Sequence, residues 1–352
     1  MHVPDGFINA PTSAATGVVA AAAVAVSLRG ARRELDERTA PLAGLVAAFI
    51  FAVQMLNFPV AAGTSGHLLG GALAAILVGP YTGVLCVSVV LLMQGILFAD
   101  GGLTALGVNI TDMAIVTTVV SYAVFRLLVM VLPRGRRSVT VASFAAALLS
   151  VPAAAVAFTL IYAVGGTTDV SLGKVATAMI GVHVLIGLGE AVITALTVGA
   201  VIAVRPDLVH GARGLRQRLK LRVNGALVDV PAPEGARTAP VAARTSRRAL
   251  WITGLATSLV LAGFVSFYAS SSPDGLEKVA HDKGIDQKAR RHHSADSPLA
   301  GYGVKDVGDA RLSGGLAGVI GVGATVVAGS AVFWVVRRRR TPDVSPTSTS
   351  AV

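Results

Sequence analysis

The chain has 352 residues, of which 53% are hydrophobic and 14% charged, with a mean hydropathy of +0.70. A water-soluble domain carries about 25% charged residues, so a large aqueous core is excluded and an all-α polytopic membrane protein is expected. The net charge of +11 does not point to a nucleic acid, because the basic residues gather where apolar segments end and so read as topology and lipid contact.

The first element is MHVPDGFI. No basic residue precedes the first apolar run, so the opening lacks the charged front of a secretory leader and is expected to insert uncleaved, its short end outside. His2 is bulky, so Met1 is expected to stay, with its α-amine beside the His2 amide. Amine, deprotonated amide and His2 imidazole can close a five- and a six-membered ring around one ion. Three nitrogens then lie in a plane and call for a fourth. Such a tetragonal nitrogen set favours Ni(II) or Cu(II), with Co(II) close behind, and its affinity falls in acid.

A span needs roughly 20 apolar residues. Candidates lie at 9–28, 41–60, 67–79, 81–98, 107–132, 140–165 and 174–204, and two more at 249–269 and 313–336. The third is short and meets the fourth at Gly79-Pro80, which predicts a tight hairpin. Arg29, Arg32, Arg33 and Arg38 follow the first span. Arg134, Arg136 and Arg137 follow the fifth, Arg205 to Arg222 the seventh, and Arg337 to Arg340 the last, whereas 60–66 and 99–106 carry no Lys or Arg. With alternating spans, the basic side is cytoplasmic, the N-terminus outside and the C-terminus inside. The expected division is a seven-helix domain at 1–205, a basic cytoplasmic linker at 206–248, a two-helix module at 249–336 with an outer loop at 270–312, and a disordered cytoplasmic tail at 337–352. Cys86 is the one cysteine, so no intramolecular disulfide is available.

Of the seven histidines, the six besides His2 could supply the fourth nitrogen. His67, in GTSGHLLGG, falls on the same outer side as Met1. Thr64 and Ser65 could orient its ring, and the nearby glycines let backbones crowd around it. Asp5 could bond the His2 ring, neutralise an ion or cap the first helix. Asp100 reads as a turn former or an ion-attracting charge. Glu190 lies mid-span, where a charge is costly and marks function. His183 is on the same helix face, and Gln54 or Gln94 are possible partners for Glu190. His281, His292 and His293 occupy the outer loop, where an exposed pair of histidines is ordinarily just solvated.

MHVPDGFI at the start, GTSGHLLGG at 63–71 and ADGGLTALGVN at 99–109 together resemble the metal-specificity (M-type) component of nickel/cobalt energy-coupling-factor transporters, over roughly residues 1–205. SSPDGLEKVA at 271–280 resembles the small N-type companion, over about 249–336, so the two look fused in one chain. The resemblance implies a seven-helix substrate-binding bundle in a bacterial plasma membrane, with Met1, His2 and His67 as ligands of Co2+ or Ni2+ and no organic cofactor. The metal would supply cobalamin biosynthesis or nickel enzymes. It implies as partners a transmembrane coupling subunit and paired ATP-binding-cassette ATPases. No GxxxxGK[ST] motif occurs here, so this chain is expected to be a transport subunit rather than an enzyme. The residues alone leave a rival open: a self-sufficient ion- or proton-coupled permease with Glu190 and His183 as a relay.

Overall fold

The computed structural model describes residues 1–35, 40–61, 63–215, 220–223, 226–229 and 247–338. Residues 1–9 form an irregular N-terminal segment. Helix α1 (Ala10–Glu34) starts where the Asn9 side chain accepts from the Thr12 amide at 3.0 Å, with Pro11 in the first turn. Helices α2 (Ala40–Gln54), α3 (Gly71–Val78) and α4 (Pro80–Met93) follow. Helix α4 runs into a π-helical turn, Gln94–Phe98. A second such turn, Ile110–Val116, joins α5 (Leu106–Asn109) to α6 (Thr117–Val131). Helices α7 (Arg136–Gly165) and α8 (Leu172–Val204) complete the N-terminal bundle, and α9 (Arg247–Gly263), α10 (Gly275–Lys283) and α11 (Ala310–Arg338) belong to the C-terminal part.

Nine apolar spans were expected, and each of the nine segments contains a helix. Only seven helices among the described residues are long and apolar enough to cross a membrane, however. Helix α2 has 15 residues and α3 only 8. At 1.5 Å per residue α3 is about 12 Å long. The shortfall has a local cause. After Gln54 the chain makes a small hairpin, β1 (Phe58–Pro59) on β2 (Ser65–Gly66), and then runs as buried non-helical backbone through His67 to Gly70. The expected turn between the third and fourth segments is there: Gly79, at φ 105°, needs the left-handed region, and Pro80 opens α4.

Non-helical backbone at membrane depth is tolerated only where its polar groups are satisfied. Here the Glu190 carboxylate, from α8, accepts from the Leu69 amide at 2.6 Å and the Gly70 amide at 3.2 Å. Gln54 donates to the Leu69 carbonyl at 3.0 Å. Glu190 therefore props the His67–Gly70 segment. The expected pairing of Glu190 with Gln54 or Gln94 is not the arrangement found; Gln94 turns to His2 instead.

Helices α9 and α11 pack on α2 through small residues, as transmembrane helices do. A Cβ on Gly44 would come within 2.6 Å of Ser330 Oγ, one on Gly254 within 2.6 Å of Leu45, and one on Gly321 within 2.2 Å of Phe51. The stretch expected as a linker begins with 3-10 turns at Pro206–Leu208 and His210–Leu215 and contains an antiparallel pair, β3 (Lys220–Val223) on β4 (Ala226–Asp229). The rest of 206–246, and the tail from 339 on, lie outside the described residues. The 270–312 loop is folded rather than a solvated link: α10 carries a reciprocal capping box between Asp274 and Glu277 and packs against α8.

Candidate metal centre

The first nine residues thread into the bundle and are tied at nearly every step. The Val3 amide donates to Asn109 Oδ1 at 2.7 Å, and the Val3 carbonyl accepts from the Gly102 amide at 2.9 Å and from Asn109 Nδ2 at 3.2 Å. Thr167 donates through its hydroxyl to the Gly6 carbonyl at 2.7 Å, and the Asn9 amide donates to Gly165 at 2.7 Å. Gly6 sits at φ 95°, and a Cβ there would lie 2.3 Å from the Lys288 carbonyl oxygen, so glycine is required on both counts.

This threading delivers Met1 and His2 to His67. The Met1 amine nitrogen is 2.8 Å from His67 Nε2 and donates to Asp274 Oδ2 at 2.9 Å. The His2 and His67 rings stack with centroids 5.1 Å apart. All four residues are buried. The tautomers follow from the partners. His67 Nδ1 faces the Leu68 carbonyl at 3.0 Å, so it carries the proton and Nε2 presents a lone pair to the amine. His2 Nε2 faces Gln94 Oε1 at 3.1 Å, which leaves Nδ1 as its open nitrogen, 3.3 Å from Asp100 Oδ1. Burial, outweighing the pull of Asp100, lowers the His2 pKa to about 4, so the ring is neutral at pH 7. Burial alone would raise the Asp274 pKa, but the Met1 ammonium and the Glu277 amide hold its carboxyl well below the usual range. His2, His67 and Asp274 form the one group of three or more His, Cys, Asp or Glu side chains among the described residues that could hold a metal ion, with donor atoms within 4.8 Å of one another. A cavity of about 530 Å³ opens on these three side chains and on Asp100, Glu277 and Tyr302.

The other candidates have different duties from those expected. Asp5 touches neither the His2 ring nor the start of α1; its Oδ1 accepts from the Thr104 amide at 2.8 Å and the Thr104 hydroxyl at 2.5 Å and so fixes the 101–104 loop. Ser65 does not orient His67. It donates from Oγ to the Ser272 carbonyl at 2.7 Å and from its amide to the Pro273 carbonyl at 2.9 Å, anchoring the irregular segment that brings Asp274 in. Thr64 closes the β1–β2 hairpin by donating to the Ala61 carbonyl and accepting from the Val60 amide. Asp100 is more than a turn former: besides facing His2 it accepts from the Tyr302 hydroxyl at 2.6 Å. The three histidines of the 270–312 loop do not gather. His281 faces Asp286, His292 donates to the Gly101 carbonyl, and His293 lies 3.8 Å from Asp5. His183 spends Nδ1 on the Met179 carbonyl of its own helix.

Asp274, Asn109 and the Gln94–His2 contact were not foreseen as parts of the site. The PDGLE stretch was visible as a motif, but nothing local showed that its aspartate reaches Met1.

Residues 2–208 match the family described as the cobalt uptake substrate-specific transmembrane region, and residues 248–338 match the PDGLE domain. A protein of Archaeoglobus fulgidus that bears the name of a fused nickel transport protein, NikMN, is 39% identical over 232 residues, covering 65% of this chain and 75% of that one. The cobalt transport protein CbiM of Sorangium cellulosum is 34% identical over 223 residues, 61% of this chain and 97% of its own. The crystal structure of a truncated transition metal transporter superposes with a TM-score of 0.51 at 27% identity, over 58% of this chain and 99% of that one. The buried pocket at the N-terminus and these matches converge: the chain is a multi-pass membrane protein of the cobalt-uptake substrate-specific (CbiM) family, joined in one polypeptide to a PDGLE domain.

Proposed function

We propose that the chain is the substrate-binding subunit of an energy-coupling-factor importer for Co2+ or Ni2+. The N-terminus faces outward, and a separate transmembrane coupling subunit and ATP-binding-cassette ATPases drive transport. The ion is chelated by the Met1 amine, the His2 amide and imidazole, and His67. One observation carries this reading: the Met1 amine is buried 2.8 Å from His67 Nε2, whose partner nitrogen Nδ1 faces the Leu68 carbonyl. An ion bound at about 2.1 Å by two nitrogens at right angles holds them about 3.0 Å apart, so replacing an amine proton by metal needs little rearrangement. The neutral His2 ring meets a ligand's requirement to be deprotonated.

Membrane topology supports the orientation. The arginine clusters after α1 and α6 and at the end of α11 fall on one side under the positive-inside rule, which puts the metal pocket on the other. Titration calorimetry of the purified chain with CoCl2 and NiCl2 tests the chelate. One residue added before Met1 displaces the amine, and binding is expected to vanish. Undiminished binding by the extended chain would refute the reading.

A further inference from the structure

On the footing of that chelate, we propose that Asp274 of the PDGLE segment supplies a carboxylate oxygen to the bound ion. The C-terminal module then completes the coordination sphere rather than only covering it.

The two oxygens of Asp274 have separate duties. Oδ1 accepts from the Glu277 amide at 2.8 Å and caps α10. Oδ2 points the other way, 2.9 Å from the Met1 amine and 3.7 Å from His67 Nε2. Separations of about 3 to 4 Å are those of two donors on one ion at about 2.1 Å, at right angles or somewhat wider. The backbone is held for this purpose. Ser65 grips the carbonyls of Ser272 and Pro273, and Gly275 lets the segment close on α8, where a Cβ would fall 2.8 Å from Ile186.

Charge argues in the same direction. A divalent ion bound through a deprotonated His2 amide keeps a net charge of +1. A buried charge without a partner is costly, and the Asp274 carboxylate, whose side chain is less exposed than that of Asp100 beside His2, offsets it. Oxygen is also the harder donor. A plane of four nitrogens alone favours square-planar Ni(II) or Cu(II), whereas a carboxylate added to the set gives five-coordination, which Co(II) accepts and which makes Ni(II) paramagnetic.

The test uses the full chain with its native N-terminus and compares wild type with Asp274→Asn. Asparagine keeps the Oδ1 acceptor and remains a good helix N-cap, so α10 survives while the charge is lost. Calorimetry with CoCl2 and NiCl2 is paired with the magnetic state of the nickel complex. Wild type is expected to bind Ni(II) in a paramagnetic form, and Asp274→Asn to bind both ions about tenfold more weakly, with nickel turning diamagnetic and planar. Unchanged affinity and spectrum would overturn the inference. So would tighter binding by Asp274→Asn, which would mean that the carboxylate competes with the ion for the amine. If His67→Ala and the extended N-terminus abolish binding while Asp274→Asn does not alter it, this inference alone falls. If those two changes are silent as well, the chelate and the inference fall together.

Discussion

The amine nitrogen of Met1 lies 2.8 Å from Nε2 of His67, 66 positions away in sequence. The contact supports the proposed ligand pair because the other ring nitrogen of His67 is committed to the Leu68 carbonyl. An accessible lone pair and a terminal amine are buried face to face, beside a carboxylate that balances the amine's charge. A packing histidine would gain nothing from that company.

His67→Ala is therefore expected to lower Co(II) and Ni(II) affinity by more than about 100-fold, beyond the 10–100-fold typical of losing a ligand's supporting partner. The ring lies in buried irregular backbone rather than in a helix–helix seam, so the helices should persist. Circular dichroism that stays helical while calorimetry goes flat is the expected pair of results. Retained affinity would remove His67 from the site.

Asn109 is the next test, because its hydrogen bonds go to Val3, next in the chain to the proposed ligands, and so hold them. Its amide pairs with both the N–H and the C=O of Val3, as a neighbouring strand would. Truncation to Ala leaves the buried Val3 amide unpaired, a cost of about 1–3 kcal/mol. That cost falls on docking of the N-terminal segment, so metal affinity should drop by roughly tenfold to 100-fold, with a faster off-rate and the same metal spectrum. An altered spectrum at unchanged affinity would contradict a clamping role.

Proton release sets the pH dependence. His2 has a pKa of about 4 when docked, because it is buried, against about 6.5 in an unfolded chain. Between those values the undocked segment binds more protons, so stability of docking rises with pH and is lost as pH falls from about 6.5 toward 4, by about 3 kcal/mol in all. The amine and amide must also shed protons to bind metal. Affinity measured from pH 8 to 5 should fall continuously, and calorimetry in buffers of different ionisation enthalpy should report proton release. Affinity that is flat across this range would exclude an amine–amide chelate.

The helical segments were legible because bilayer burial leaves an unmistakable run of apolar residues. His2 stood out because it adjoins the N-terminal amine, and His67 because alternating spans put it on the same side as Met1. The half-length α3 was harder to see: Leu68 to Val78 is as apolar as a span, and the unwound stretch is satisfied by Glu190, 120 positions away, together with Gln54. Asp274 was hidden for the same reason. Its capping box with Glu277 is local and readable, but its second oxygen meets Met1 across 273 positions. Sequence showed what each residue could do, whereas these pairings exist only through helix packing.

Glu190 separates the subunit reading from a self-sufficient permease. A relay residue must exchange protons or ions during each cycle, whereas both oxygens of this carboxylate hold backbone amides, those of Leu69 and Gly70. Glutamine keeps one acceptor oxygen and replaces the other with a donor, facing one amide with another N–H. The expected cost is about 1–3 kcal/mol, borne by the His67–Gly70 segment. Glu190→Gln should thus lower thermal stability and weaken metal binding by tenfold or so (one pKa-equivalent step of 1.4 kcal/mol is about tenfold), while uptake with partner subunits continues at raised metal concentration. A relay predicts the opposite split: metal binding intact, uptake abolished at every concentration. Measuring binding and uptake on the same variant decides between them, because no amount of added metal restores a missing proton carrier.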